Sequence, residues 1–296
     1  MVPAGTPREI INRLAAESAK SLQTADTREK LANIGIEMIA TALRKGGRIL
    51  FVGAGTSGRL GILESAEMPP TFGTNPDLVL AVMAGGKNAV LRAKEGVEDN
   101  FEEGTRAVAR LRVSKRDVVV GVSASGITQF VRGALTGARK KGARIIFVTC
   151  WPGADLQNYV DLIIAPAVGP EVIAGSTRLK AGTATKMVLN MLTTISMVRI
   201  GKTYGNLMVD VRTGSEKLKD RAKRILMIVT GVDDVRAAAL LKQAKWNVKI
   251  AIVMEKAGLT PAQAARRLRT SHDLVRDAIG EDIEPRLREL LAAPKK

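Results

Sequence analysis

The sequence predicts an α/β fold: a doubly wound, five-stranded parallel sheet, with helices ahead of it and a small three-helix domain behind it. Three observations lead there. Five short apolar runs lie between residues 48 and 166, segments of helical period separate most of them, and beyond about Gly214 only helical patterns remain. With 296 residues and 46% hydrophobic content, the chain can bury the core such a domain needs.

In chain order, residues 7–45 read as a helical arm, with Ile10, Ile11, Leu14 and Ala15 and later Ile34, Met38 and Leu43 on apolar faces. The five runs follow: RILFVG from Arg48, LVLAVM from Leu78, DVVVGV from Asp117, RIIFVT from Arg144 and DLIIAP from Asp161. They are nearly continuous in apolar character, as strands covered on both faces are. Between them, TQFVRGALTGARKKG places Phe130, Val131, Ala134 and Leu135 on one helical face and stops at Gly142. After the last run, STRLKAGTATKMVLNMLTTISMVRIGKTYG offers Ser176 and Thr177 as N-caps and an apolar stripe through Leu179, Met187, Leu189 and Leu192. The small domain consists of TGVDDVRAAALLKQA, NVKIAIVMEKAG and LTPAQAARRLRTSHDLVRDAIG, the last opened by a Thr260 N-cap and Pro261 in the first turn. The boundaries drawn are 1–45, 46–213 and 214–296.

Composition excludes several chemistries. Cys150 is the only cysteine and His272 the only histidine, so no Cys/His set has zinc-ligand spacing and no structural metal is expected. Acid and base work falls to Glu, Asp or Lys. No run reaches the roughly 18 apolar residues of a membrane span, and the N-terminus lacks the basic-then-apolar order of a signal peptide. The expectation is a soluble, cytoplasmic protein with no membrane partner. A formal net charge of +17 suits an anionic partner. GLTPAQAARRL has the look of the first part of a helix-turn-helix, and residues 212–296 hold 19 Lys/Arg against 11 Asp/Glu, but the charge is spread over the whole chain and the following helix lacks base-reading Asn, Gln and Arg. Nucleic acid is therefore not the expected partner.

In a parallel sheet all strand C-termini share one edge, where helix N-termini present free N–H groups. Three hydroxyl-rich loops belong there. GAGTSG follows the first run, with Thr56, Ser57, Gly58 and then Arg59; SASGIT follows the third, with Ser123, Ser125, Gly126 and Thr128; GSTRLK lies beyond the fifth, with Ser176, Thr177, Arg178 and Lys180. Hydroxyls and helix N–H groups together satisfy the acceptor oxygens of a phosphate. A dinucleotide is disfavoured, because no acidic residue closes the second run to hold a ribose.

The three loops resemble a sugar isomerase (SIS) phosphosugar-binding domain. The longer strings GAGTSGRLGILESAEMPPTFG, KEGVEDN, AVGPEVIAGSTRLKAGTATKMVLNML and YGNLMVDV are similar to the N-acetylmuramic acid 6-phosphate etherases and, less closely, to the glucokinase regulatory protein. The likeness runs from about Gly46 to Ile279. It implies a cofactor-independent carbon–oxygen lyase acting on a phosphorylated amino sugar, and a homodimer with sites near the interface. It also implies two catalytic carboxylates. Glu67 in SAEMPPTFG matches the family's proton donor, and Glu98 in EGVED its second carboxylate, taken as the base at C2. A place in the last turn of its helix, buried beside Pro69, Pro70 and Phe72, would raise the Glu67 pKa as an acid requires. The residues alone do not single out Glu98 from Glu95, Asp99, Glu102 and Glu103. Two rival readings share the sheet: an aldose–ketose isomerase, and a sugar-phosphate sensor that binds DNA or a partner protein.

Overall fold

The computed structural model describes residues 35–151, 159–211 and 213–292. Most of the expected arm, including Ile10, Ile11, Leu14, Ala15 and Ile34, lies outside them. The description begins with helix α1 (Glu37–Arg44) and strand β1 (Ile49–Gly53). Then come α2 (Gly55–Phe72), β2 (Val79–Met83), the short α3 (Asn88–Leu91), α4 (Phe101–Arg110), β3 (Val118–Val122), α5 (Gln129–Lys140), β4 (Arg144–Val148), β5 (Leu162–Ile164) and α6 (Lys180–Arg199).

All five apolar runs are strands of one parallel sheet, in the order β2-β1-β3-β4-β5. Alternate residues feed opposite cores, as the two-residue period of a strand dictates. Ile49, Phe51, Val118, Val120 and Ile146 pack under α1, α2 and α6. Leu50, Val52, Val119, Ile145 and Phe147 pack under α4 and α5. Because β1 leads outward to β2 on one side and β3 to β4 on the other, the chain direction switches between β1 and β3, and a crevice opens beyond their C-terminal ends.

The N-terminal edge of the sheet is closed by charge. Asp117 accepts from the Arg48 amide at 2.9 Å, from its guanidinium at 3.0 and 3.2 Å and from the Ser114 amide at 2.9 Å. Burial alone would raise the Asp117 pKa; the bonds from Arg48 and Ser114 prevail and hold it below the usual carboxylate range.

A hairpin, β6 (Thr203–Tyr204) with β7 (Leu207–Met208), leads into α7 (Glu216–Thr230), α8 (Asp234–Gln243), α9 (Val248–Ala257), α10 (Pro261–Thr270), α11 (Val275–Ile279) and α12 (Glu284–Ala292). The three helical pieces expected from the sequence are present, but the third is broken into α10 and α11. His272 and Asp273 adopt positive φ there, a geometry no helix continues through. α7 and α12 flank the three, and the whole packs about Leu226, Leu241, Ile252 and Leu268, together with Tyr204 and Val209 from the hairpin side. Thr260 caps α10 as expected, in a capping box with Gln263. No helix among the described residues is long and apolar enough to cross a membrane.

Candidate active site

The crevice beyond β1 and β3 is a cavity of about 670 Å³. Its floor is built by close backbone approach: a Cβ on Gly58 would stand 2.9 Å from the carbonyl oxygen of Gly53, so only glycine lets the first turn of α2 rest on the end of β1. α2 starts with Ala54 as N-cap and no side-chain cap. Its first-turn amides therefore remain free beside the half-buried Thr56 and Ser57, an arrangement suited to an anion.

Across the cavity, Ser123 is buried, with its hydroxyl 2.8 Å from Thr128 Oγ1 and accepting the Gly126 amide at 3.2 Å. This pairing folds the loop after β3 and leaves α5 also without a side-chain cap. Ser125, Thr177 and Thr185 add further hydroxyls to the lining. The opposite wall is the segment after β2, where Glu98 sits half-buried in a single 3₁₀ turn, Val97–Asp99.

The third helix start differs. α6 begins at Lys180, and the carboxylate of Glu171 accepts from the Lys180 and Ala181 amides, each at 2.9 Å. The bond from Ala181 is the main cause holding Glu171 below the usual carboxylate pKa; desolvation opposes it, and Lys180 assists. Glu171, not Ser176 or Thr177, thus caps this helix; the amides of those two residues turn back to Ile173 and Gly175.

Comparison with known proteins shows what this chain is similar to. Residues 30–139 match the glucokinase regulatory protein N-terminal SIS domain, and residues 99–195 match the SIS domain. An N-acetylmuramic acid 6-phosphate etherase of Rubrobacter xylanophilus is 46% identical over 277 residues, 94% of this chain and 91% of that protein. One of Thermosynechococcus vestitus is 50% identical over 84% of this chain and 81% of its own length. The chain belongs to the N-acetylmuramic acid 6-phosphate etherase family. Among solved structures, a phosphoheptose isomerase of Neisseria gonorrhoeae is 22% identical with a TM-score of 0.43, covering 63% of this chain and 98% of that one.

In this member of the etherase family, Thr56, Ser57, Arg59, Ser123, Ser125, Thr128, Thr177 and Glu98 all border one cavity. Gly58 and Gly126 lie in its framework, Gly126 at a φ of 78°. Ser176, Arg178 and Lys180 do not line it; Arg178 and Lys180 are exposed.

Glu67 is placed differently from expectation. It is exposed and does not line the cavity, standing seven residues, about 10 Å, along α2 beyond Leu60, the farthest residue of that helix that borders it. Nor is it in the last turn. Pro69 and Pro70 are inside α2, which continues to Phe72 and closes on left-handed Gly73, whose amide reaches the Pro69 carbonyl at 3.0 Å. The buried carboxylate on this helix is Glu64, only 3% exposed, which accepts from Asn190 at 2.6 Å and from Thr193, both on α6. Burial raises its pKa, against the lowering by Thr193.

Sequence reasoning missed Glu171 and Glu64. No period announces Glu171, which lies nine residues before the amide it caps. For Glu64 a signal existed: with Gly61 and Met68 it shares the buried face of α2, whereas Glu67 falls on the outer face.

Proposed function

We propose that this chain cleaves the D-lactyl ether of N-acetylmuramic acid 6-phosphate to N-acetylglucosamine 6-phosphate and D-lactate. The observation that carries this reading is the open start of α2 facing the Ser123–Thr128 loop, with Glu98 in the wall of the same cavity. The phosphate would rest on the α2 amides, Thr56 and Ser57, and the sugar would extend toward Glu98.

The chemistry follows from the open-chain aldehyde, which acidifies the C2 hydrogen. Glu98 takes that proton, the C2 electron pair forms the C2–C3 double bond, and the C3–O bond breaks. The departing ether oxygen leaves as D-lactate once it receives a proton. Water then adds at C3 while C2 regains a proton, giving the 3-hydroxyl sugar. The net change is addition of one water, with no oxidant or reductant.

Glu67 stands outside the cavity on the outer face of α2, so it is not placed to donate the leaving-group proton within its own subunit. It shares an outer face with exposed Leu63 on α2, and exposed Met187 and Met191 lie on the adjacent α6. Apolar exposure of this kind marks a contact surface. We place the face of a second copy there, so that Glu67 acts in the partner's cavity. We read the reaction as cytoplasmic, because a phosphorylated sugar formed in the cytoplasm does not leave it by crossing the bilayer.

Release of D-lactate from N-acetylmuramic acid 6-phosphate tests the reading; its absence under conditions where the protein is folded would overturn it. Glu98→Gln is expected to abolish exchange of the C2 hydrogen with solvent deuterium. Mixing inactive Glu67→Gln and Glu98→Gln proteins is expected to restore activity, because a mixed dimer has one cavity with both carboxylates. No recovery in a mixture shown to have exchanged subunits would put the donor elsewhere. The isomerase rival is weaker because the single histidine, His272, follows α10 and does not line the cavity.

A further inference from the structure

Residues 84–99, which carry Glu98, separate the active-site cavity from a second one of about 1090 Å³ behind it. Met83, Lys94, Glu95 and Val97 border both spaces. The partition is thin. Residues 91–96 are all exposed, and the only regular pieces are the four-residue α3 and the 3₁₀ turn bearing Glu98. Glycines in left-handed conformation stand at both ends, Gly85 and Gly86 at φ 80° and 67° and Gly96 at φ 72°. The 3₁₀ turn rests against α5 and Ala84 and Ala89 are buried, but residues 91–96 between them have little packing to fix them, and catalysis needs the Glu98 carboxylate held in place.

Arg59 supplies a further, directional constraint. Its Nε donates to the Val90 carbonyl and its Nη2 to the Ala89 carbonyl, both at 2.7 Å. These carbonyls belong to α3, too short a helix to satisfy them internally, and a guanidinium there completes them with two charge-assisted bonds. Arg59 itself rises from the first turns of α2, two residues beyond Ser57. One side chain therefore ties the Glu98 segment to the helix start that faces the phosphate site.

We propose that Arg59 is a positioning residue that latches the Glu98 segment over the cavity, and not a ligand of the phosphate. Its planar fork faces two backbone carbonyls, so the same edge does not grip an anion. The inference rests on the proposed role of Glu98.

The test compares Arg59→Lys and Arg59→Gln with the unaltered protein. Neither substitute spans two carbonyls with a rigid fork. Amide hydrogen exchange across residues 86–96 is expected to accelerate at least tenfold, with the rest of the protein unchanged. With N-acetylmuramic acid 6-phosphate, kcat is expected to fall on the order of 100-fold, the scale of a 1 Å misplacement, while KM and the Kd of inorganic phosphate hold steady. Unchanged exchange in the segment, or a loss carried by KM and phosphate affinity, overturns the proposal. Glu98→Gln separates this from the parent reading. It should lose turnover with segment protection intact, and if it stays active the Glu98 assignment fails while the exchange data still report on the latch.

Discussion

The starts of α2 and α6 both lie at the C-terminal edge of the sheet, yet one is open and the other is shut. At α2 no side chain caps the helix and the free amides face the cavity beside Thr56 and Ser57. At α6 the Glu171 carboxylate occupies the Lys180 and Ala181 amides. A helix N-terminus attracts an anion in either case. The difference is whether the protein supplies the anion itself or leaves the place open, and it is the reason the phosphate is proposed to sit at α2 rather than at α6.

Closing the open end should have the largest effect. Ser57→Asp puts a carboxylate where the phosphate is expected, and like-charge juxtaposition costs several kcal/mol. At 1.4 kcal/mol per tenfold, KM and the Kd of inorganic phosphate should rise about 100-fold or more. Unchanged affinity would move the phosphate away from α2.

Opening the closed end should have a smaller effect, on stability. Glu171→Ala and Glu171→Gln should both lower Tm, Ala more, since Gln retains an oxygen that can accept one amide. The sign with pH follows from the depressed folded-state pKa. The carboxylate stabilises the fold above its ordinary value of 4.5, and that contribution disappears as pH falls through the lower folded value. The Gln variant should lack this part of the acid limb in a melting series. A limb identical to that of the unaltered protein would remove Glu171 from the cap.

The smallest effect is expected between the two helices, where Glu64 of α2 meets Asn190 and Thr193 of α6. Its folded pKa is raised, so the unfolded chain ionises first and stability falls as pH climbs from the ordinary value of 4.5 through the raised one. Glu64→Gln removes that cost and should be as stable as the unaltered protein at about pH 7, or more so by up to ~1 kcal/mol. The advantage should vanish toward pH 4. Strong destabilisation by Gln at neutral pH would mean that the ionised carboxylate is required where it lies.

The cavity-lining hydroxyls were legible because each follows an apolar run whose strand identity is plain, and parallel strands bring their C-terminal ends together whatever the side chains do. Thr56, Ser123 and Thr177 met for that reason. The family strings were legible as well, since they persist along most of the chain. Glu67 was misplaced in the fold because two prolines read as a stop, whereas α2 carries both and ends at Gly73. Arg59 could be placed with the first hydroxyl loop from sequence, but its bonds to the Ala89 and Val90 carbonyls, thirty residues on, could not.

Strand order aside, the sequence by itself determined where the five sheet strands and the main helices between and after them lie, since apolar period and turn residues act over a few neighbouring positions; it did not determine α7, α12, the β6–β7 hairpin or the break between α10 and α11. It likewise determined the family. Only the tertiary structure decided which charges are used up internally, Glu171 on an amide pair, Arg59 on two carbonyls, Glu64 between helices. The partners of Arg59 and Glu64, thirty and more than a hundred residues away, meet them only once the sheet has formed, and Glu171 reaches amides nine and ten residues on across an irregular loop, so no local pattern encodes these meetings.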